Sequence, residues 1–382
     1  MKKVLFPRVR FKGFDDNWEQ GNIGEVFELT RGEVLSQRKI RNKKMGEYIY
    51  PVFSSQTLNN GLLGFYNNFL FKNSITWTTD GANAGTVLYR DGLFYATNVC
   101  GVMLQKTSIK PSSYFAHEIN VKVKKHVIKA GNPKLMINVL HEVLINFSKN
   151  KLEQEKISIL IENIDNLITL EEIKHNKLKQ LKETLLQKMF PEGNSKTPRI
   201  RFKGFEEEWK EEKLNDIFKV ITGGEPPKNY KNSKHPVGKY KYPIYSNGQE
   251  ANAIWGFSDN YSINTEAITI SSIGTIGFPV VRKMFFTPII RLKTLLPYNK
   301  NMNINFLNLS VSQINFSFNQ AGIPSMNSNQ LKDNIILISR NFSEQQKIGD
   351  FFCKIDTLIN LYNSKLNKLK QIKEGLLQKM FV

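Results

Sequence analysis

The chain has 382 residues, 40% of them hydrophobic and 23% charged, and its 54 Lys and Arg outweigh 34 Asp and Glu to leave a formal net charge of +20. This composition is ordinary for a globular protein and excludes wholesale disorder, while the charge concentrates polyanions, so nucleic acid is the first partner to consider. Cys100 and Cys353 stand far apart, which excludes a disulfide scaffold or zinc finger and suits a reducing cytoplasm, and no apolar run approaches the ~18 residues of a membrane span.

The opening MKKVLFPRVR is basic, but Pro7, Arg8 and Arg10 interrupt any apolar stretch, so no signal peptide is expected. PRVRFKGFDDNW (7–18) follows; its Trp18 is expected in the core rather than as a base-stacking platform, because aromatics bury large areas. In NIGEVFEL (22–29), Asn22 and Glu25 have the spacing of a capping box and predict a short helix. QRKIRNKK (37–44) sets Arg38, Lys39, Arg41, Lys43 and Lys44 in one loop-like run, either phosphate contacts that hold register or a solvated charged loop. Asn60–Gly61 marks a turn. TTDGANAGT (78–86) offers Thr79, Asp80 and Asn83 beside glycines; such groups read base edges, and such turns are as often simply structural.

A long amphipathic helix is expected over 153–190, about 57 Å at ~1.5 Å per residue. With Ile157 at heptad position a, Ile164, Leu178 and Leu185 share that position, and Leu160, Leu167 and Leu181 fall at d. The chain then begins again. PRIRFKGFEEEW (198–209) repeats the first block 191 positions on, as Pro7 to Pro198, and carries Trp209. PPKNYKNSKHPVGKYK (226–241) is the second basic run, with Lys228, Tyr230, Lys231, Lys234 and Lys241, and Asn247–Gly248 is a turn. AITISSI and VVRKMFF read as strands, and SSIGTIG presents Ser271 and Ser272 as base-edge candidates. The last helix repeats the heptad, with Ile348, Ile355, Leu369 and Leu376 at a and Phe351, Leu358 and Ile372 at d. Both seams break midway, where Glu171 and Lys174 match Tyr362 and Lys365; such a polar layer can fix register.

The repeat divides the chain into 1–150, a first recognition domain; 151–192, a central helix; 193–342, a second recognition domain; and 343–382, a C-terminal helix. The expected fold is α+β: two mixed α/β domains separated by two long antiparallel coiled-coil helices, related by a pseudo-two-fold internal repeat. Helices of this length exceed the ~34–36 Å of one DNA turn, so the pair would act as a ruler between two readers.

The PxxRFKGFxxxW blocks, the helix openings EQEKI (153–157) and EQQKI (344–348), and the KLKQ(L/I)KE…LLQKMF endings together resemble the specificity (S) subunit of type I restriction–modification enzymes. GNPKLMIN (131–138) and AGIPSMNSNQL (321–331) resemble the stretch that closes each recognition domain, whereas HEVLINFSKN is more charged and less proline-rich than the usual lead into the helix. The resemblance implies a non-catalytic, cytoplasmic subunit that binds a bipartite double-stranded DNA target, one half per recognition domain. It also implies that the helices set the spacer and dock two methyltransferase subunits, with restriction/translocase subunits joining for cleavage. S-adenosylmethionine, ATP and Mg²⁺ would then belong to the partners, with no cofactor or metal on this chain. In keeping with this, the chain has no Asn-Pro-Pro-aromatic motif, no phosphate-binding loop and no dinucleotide fingerprint. Its histidines, His117, His126, His141, His175 and His235, form no H-x-x-x-H pair. A stand-alone DNA methyltransferase or nuclease, or a structural coiled-coil adaptor, are the alternatives; activity of the purified chain, or indifference to DNA sequence, would mark them.

Overall fold

The computed structural model describes residues 6–55, 58–248, 253–299, 301–320 and 322–381, so Ala321, at the head of AGIPSMNSNQL, lies outside the described residues. The chain forms two compact mixed α/β units, Met1–Glu172 with Ser364–Val382, and Ile173–Asn363. These cut the chain differently from the linear division above: each unit takes part of both long helices, because the apolar faces of the helices are buried unit by unit.

The first unit runs β1 (Glu19–Asn22), α1 (Ile23–Val26), β2 (Phe27–Arg31), β3 (Tyr50–Phe53), β4 (Leu62–Tyr66), β5 (Phe71–Thr78), β6 (Val87–Ala96), β7 (Cys100–Gln105), α2 (Ser113–Val123), α3 (Ile137–His141), β8 (Leu144–Phe147) and the start of α4 (Lys151–Met189). The Asn22 backbone N–H donates to the Glu25 carboxylate at 3.3 Å, so the short capped helix forms where its spacing predicts. Six strands make one sheet in the order β2-β7-β5-β6-β3-β4, antiparallel except where β3 meets β6. α2 packs on this sheet, and β1 and β8 pair separately.

The second unit repeats the plan with β9 (Lys210–Lys213), α5 (Leu214–Ile217), β10 (Phe218–Thr222), β11 (Tyr230–Lys231), β12 (Tyr242–Tyr245), β13 (Ile254–Ser258), β14 (Ala267–Ser271), β15 (Gly277–Arg282), β16 (Thr287–Pro288), β17 (Lys293–Pro297), α6 (Ile304–Ser312), α7 (Ser328–Lys332), β18 (Ile335–Ile338) and α8 (Phe342–Met380). Where the first unit has the single ten-residue strand β6, the second has β15 and β16. The break contains Phe285 at φ 68°, left-handed backbone outside the extended region of a regular strand. Its strands therefore form two four-stranded sheets, β10-β17-β14-β15 and β11-β13-β12-β16.

The duplicated opening block is fastened to the long helix that follows it. Arg10 grips Glu153 through two hydrogen bonds of 2.6 and 3.0 Å, and the Trp18 indole N–H donates to the same carboxylate at 3.3 Å. Arg201 and Glu344 repeat the clamp at 2.6 and 2.9 Å. Both glutamates are 0% exposed, and Trp18 and Trp209 lie in the cores.

In the first unit Ile157, Ile161 and Ile164 of α4 are buried, the first two in the same core as Met380 and Phe381 at the end of α8, and Asp165 pairs with Lys373 at 2.5 Å. In the second, Ile348, Phe352 and Ile355 of α8 share a core with Met189 and Phe190, and Lys182 pairs with Asp356 at 2.5 Å. Of the expected a positions, Ile157, Ile164, Ile348 and Ile355 are buried and Leu178, Leu185, Leu369 and Leu376 half-buried, while the expected d positions are the more exposed set. Leu167, Leu181, Leu358 and Ile372 are 45–50% exposed, and Leu160 and Phe351 only half-buried. After four of the six d positions the next residue is the one engaged: Ile161 and Phe352 are buried, and Lys182 and Lys373 enter the ion pairs. Leu160–Ile161 and Phe351–Phe352 are apolar at both spacings, so periodicity alone cannot choose between three and four residues. The expected polar layer is present, Glu171 buried and paired with Lys365 at 2.9 Å.

Removing either clamp arginine leaves a fully buried carboxylate without its partner, so Arg10→Ala and Arg201→Ala should each lower stability by ~3–5 kcal/mol in urea unfolding. Glu118 on α2 offers a pH test. Burial raises its carboxyl to about 7, against the backbone hydrogen bond from Asn146, which lowers it. A folded pKa above the unfolded value means that stability is full at low pH and declines as pH rises from ~4.5 through 7, by up to roughly 3 kcal/mol. Glu118→Gln should flatten that decline in denaturation curves taken between pH 5 and 8.

Candidate nucleic-acid interface

At one end of each unit's sheets the same loops are brought together. In the first, Gly32 N–H donates to Cys100 O, Glu33 N–H to Ala96 O, Thr97 N–H to Phe53 O, and Cys100 N–H to Thr97 O, at 2.9–3.0 Å. In the second, Gly223 N–H donates to Leu292 O, Ile289 N–H to Tyr245 O, and Leu292 N–H to Ile289 O, at 2.8–3.1 Å. The turns 97–100 and 289–292 are therefore equivalent. Each is seated on a glycine: a Cβ on Gly32 would lie 2.0 Å from Ala96 O, and one on Gly223 would lie 2.8 Å from Ile289 N. Each is also pinned by a hydroxyl. Thr79 Oγ1 lies 3.0 Å from Val99 O, and Ser272 Oγ donates to Arg291 O at 2.7 Å.

The pinning hydroxyls belong to expected base readers, and the structure corrects that expectation. Thr79, Ser271 and Ser272 are buried because they close the turn from within; Ser271 Oγ reaches Asn247 Oδ1 at 3.4 Å and Ser272 N–H donates to the same oxygen at 2.8 Å. Asp80 is half-buried, with its carboxylate 3.9 Å from Lys134 Nζ. Asn83 is half-exposed and lines a cavity of about 100 Å³ with Asn60, Thr76, Thr78 and Arg90.

The basic runs follow these seats in sequence, and the strands then carry them to a sheet edge, Arg41 bridging Phe65 of β4 in the first unit and β11 pairing with β13 in the second. Arg38 and Lys39 occupy a short 3-10 turn, Gln37–Lys39, just beyond the Glu33–Thr97 bridge, and are exposed with Lys43. Arg41 and Lys44 are also exposed but ride on rings, Arg41 Cζ 5.2 Å from the centre of Tyr48 and Lys44 Nζ 5.6 Å from Phe65. In the second unit the run starts directly after Gly224, which bridges Ile289. Lys228, Lys231, Lys234 and Lys241 are exposed, and Tyr230 leans on Trp255 at 4.6 Å.

Sequence reading missed the brace beneath these loops. Arg90 Cζ sits 3.7 Å over the Phe53 ring, its Nε–H donates to Thr76 Oγ1 at 3.0 Å and its Nη2 to Asn60 O at 2.7 Å. Arg282 repeats it, 3.9 Å over Tyr245 and donating to Thr269 Oγ1 at 2.9 Å. Burial pulls the Arg90 guanidinium down to about 10 and lowers Arg282 as well. The signal was present, since both arginines follow a strand threonine by a near-constant interval, but two residues in unlike surroundings do not stand out.

The model of the type I restriction modification DNA specificity domain matches this chain twice, over residues 15–180 and 206–371. A type I specificity subunit of Mycoplasma pneumoniae is 32% identical over 360 residues, which is 92% of each chain. The specificity subunit of the type I restriction enzyme MpnII of the same organism is 33% identical over 163 residues, 42% of this chain and 46% of that one. The crystal structure of the S subunit of a type I restriction-modification system from M. genitalium shares the fold, with a TM-score of 0.70 at 18% identity and 99% of both chains covered.

The two adjacent glycines of the second seat make a sharp test. Gly223→Ala must displace the turn and should lower stability by about 2 kcal/mol or more, whereas Gly224→Ala, with open space at its Cβ, should stay within ~0.5 kcal/mol in the same unfolding experiment.

Proposed function

The chain belongs to the type I restriction–modification DNA specificity family, and on that premise we propose that it is a non-catalytic, cytoplasmic subunit whose two units each bind one half of a bipartite DNA target. The observation that carries this is the duplicated loop end. Glycine seat, pinning hydroxyl and an arginine laid over an aromatic ring recur in both units while the exposed residues they hold up differ. A shared frame under unlike side chains suits two readers of unlike sequence. The exposed lysines and arginines beside each turn would contact phosphates and set register without reading bases.

The long helices would form a coiled-coil spacer between the half-sites. α4 and α8 have 39 residues each, about 58 Å at ~1.5 Å per residue. They would also dock two methyltransferase subunits. Leu167 with Leu358, Leu170 with Leu361, and Leu181 with Ile372 are exposed apolar residues at matched positions of the repeat, a pattern that fits two copies of one partner. S-adenosylmethionine would then act on those subunits, and ATP and Mg²⁺ on restriction/translocase subunits in a full complex. Among the described residues, no helix is long and apolar enough to cross a membrane.

If ~6–10 phosphates are neutralised, affinity for duplex DNA should fall by about 10³–10⁵ between 50 and 200 mM salt. Inserting one heptad into each long helix keeps the seam and adds ~10 Å, close to three base pairs at ~3.4 Å. Methylation mapping should then find both half-sites unchanged and the spacer longer; an unaltered spacer would sink the ruler.

A further inference from the structure

The 289–292 turn is the most strained point of the second unit. Ile290 and Arg291 both have left-handed backbone, φ 52° and 60°, which costs an L-residue roughly 1–2 kcal/mol each and is least tolerated by a β-branched side chain. The turn is held there from every side. Ile290 N–H donates to Gly224 O at 2.8 Å and Arg291 N–H to Gly223 O at 2.9 Å. Their carbonyls accept from Asn247 Nδ2 at 2.5 Å and Ser272 Oγ at 2.7 Å. With all four backbone groups engaged, only the two side chains face outward, and both are exposed. Among the described residues, the Arg291 guanidinium has no hydrogen-bonded or ion-paired partner. Arg291 also adds to the positive charge around Lys293, whose pKa is lowered by burial first and by Arg291 second.

Strain that a network over-determines marks a functional position. Here it thrusts a planar, five-donor cation out of a rigid seat, at the point where Gly224, just before the second basic run, bridges Ile289. We propose that the 289–292 turn is the base-reading tip of the second unit and that Arg291 is its reader, forking onto the O6 and N7 acceptors of a guanine in the major groove. This rests on the reading of the chain as a bipartite DNA binder. The equivalent tip of the first unit lifts Asn98, also exposed, whose amide suits the N6 and N7 edge of adenine.

The test is a binding selection by the full chain on duplexes with a randomised core. The wild type should enrich a two-part motif containing a guanine that depends on Arg291. Arg291→Lys keeps the charge and loses the fork. Arg291→Gly loses the side chain and relieves the left-handed strain. Both should cut the preference for that guanine about ten-fold or more, leave the other half-site intact, and in the glycine variant hold or raise the melting temperature. Asn98→Ala should alter only the half-site that the Arg291 variants spare. An unchanged motif in both Arg291 variants overturns the assignment, as does a glycine variant that melts lower or loses both half-sites, since Arg291 would then be a structural prop. A wild-type chain that enriches no two-part motif overturns the parent reading, and this one with it.

Discussion

A carboxylate without access to water sits in the first turn of each long helix, and each unit is organised around it. Glu153 holds Arg10 and the Trp18 indole, and Glu344 holds Arg201, so a segment some 140 residues upstream is tied to the helix that follows. A buried charge is tolerated only when its partner is fixed in place. This makes the opening block obligatory: without the arginine the helix would carry an unpaired anion into the core. The same constraint explains why PxxRFKGFxxxW is copied so closely between the halves while the loops drift. The clamp couples the folding of the recognition sheet to that of the helix, so the turn at the sheet's end inherits a stiff support.

Stiffness is what the loop end needs. A side chain that discriminates between bases must be held within a fraction of an ångström, and loops reach that only when a scaffold over-determines them. The second unit achieves this with a glycine that lets two backbones touch, a buried hydroxyl that closes the turn, and an arginine packed flat on an aromatic ring. Three of the polar residues that looked like readers, Thr79, Ser271 and Ser272, are part of the frame, while the exposed residues at the two tips differ.

The sequence disclosed the large features because they are written twice. The 191-residue offset set the repeat, and the capping box at Asn22 and Glu25 set the first short helix, each through local chemistry that tertiary structure did not override. The helix seam was legible only in part: Ile157 and Ile348 anchor it, but Leu160–Ile161 and Phe351–Phe352 satisfy both spacings, and packing made the choice. Thr79 and Ser272 were picked out by residue type and proximity to glycine, which cannot tell a hydroxyl facing water from one facing a carbonyl. Gly32 and Gly223 passed unnoticed because the backbones they admit come from strands some 65 residues away.

The two tips separate frame from message in a way that strain makes visible. In the first unit Asn98 and Val99 occupy the same seat without left-handed backbone, so the seat itself does not demand it. In the second, Ile290 and Arg291 take that conformation, with Asn247 reaching their turn, where the first unit has Ser55 at the matching position. The strain therefore follows the residues that differ, not those that are shared. A frame rigid enough to hold two unlike turns can accept new tip sequences without redesign of its core. The limit on such exchange is the few kcal/mol that one seat can absorb.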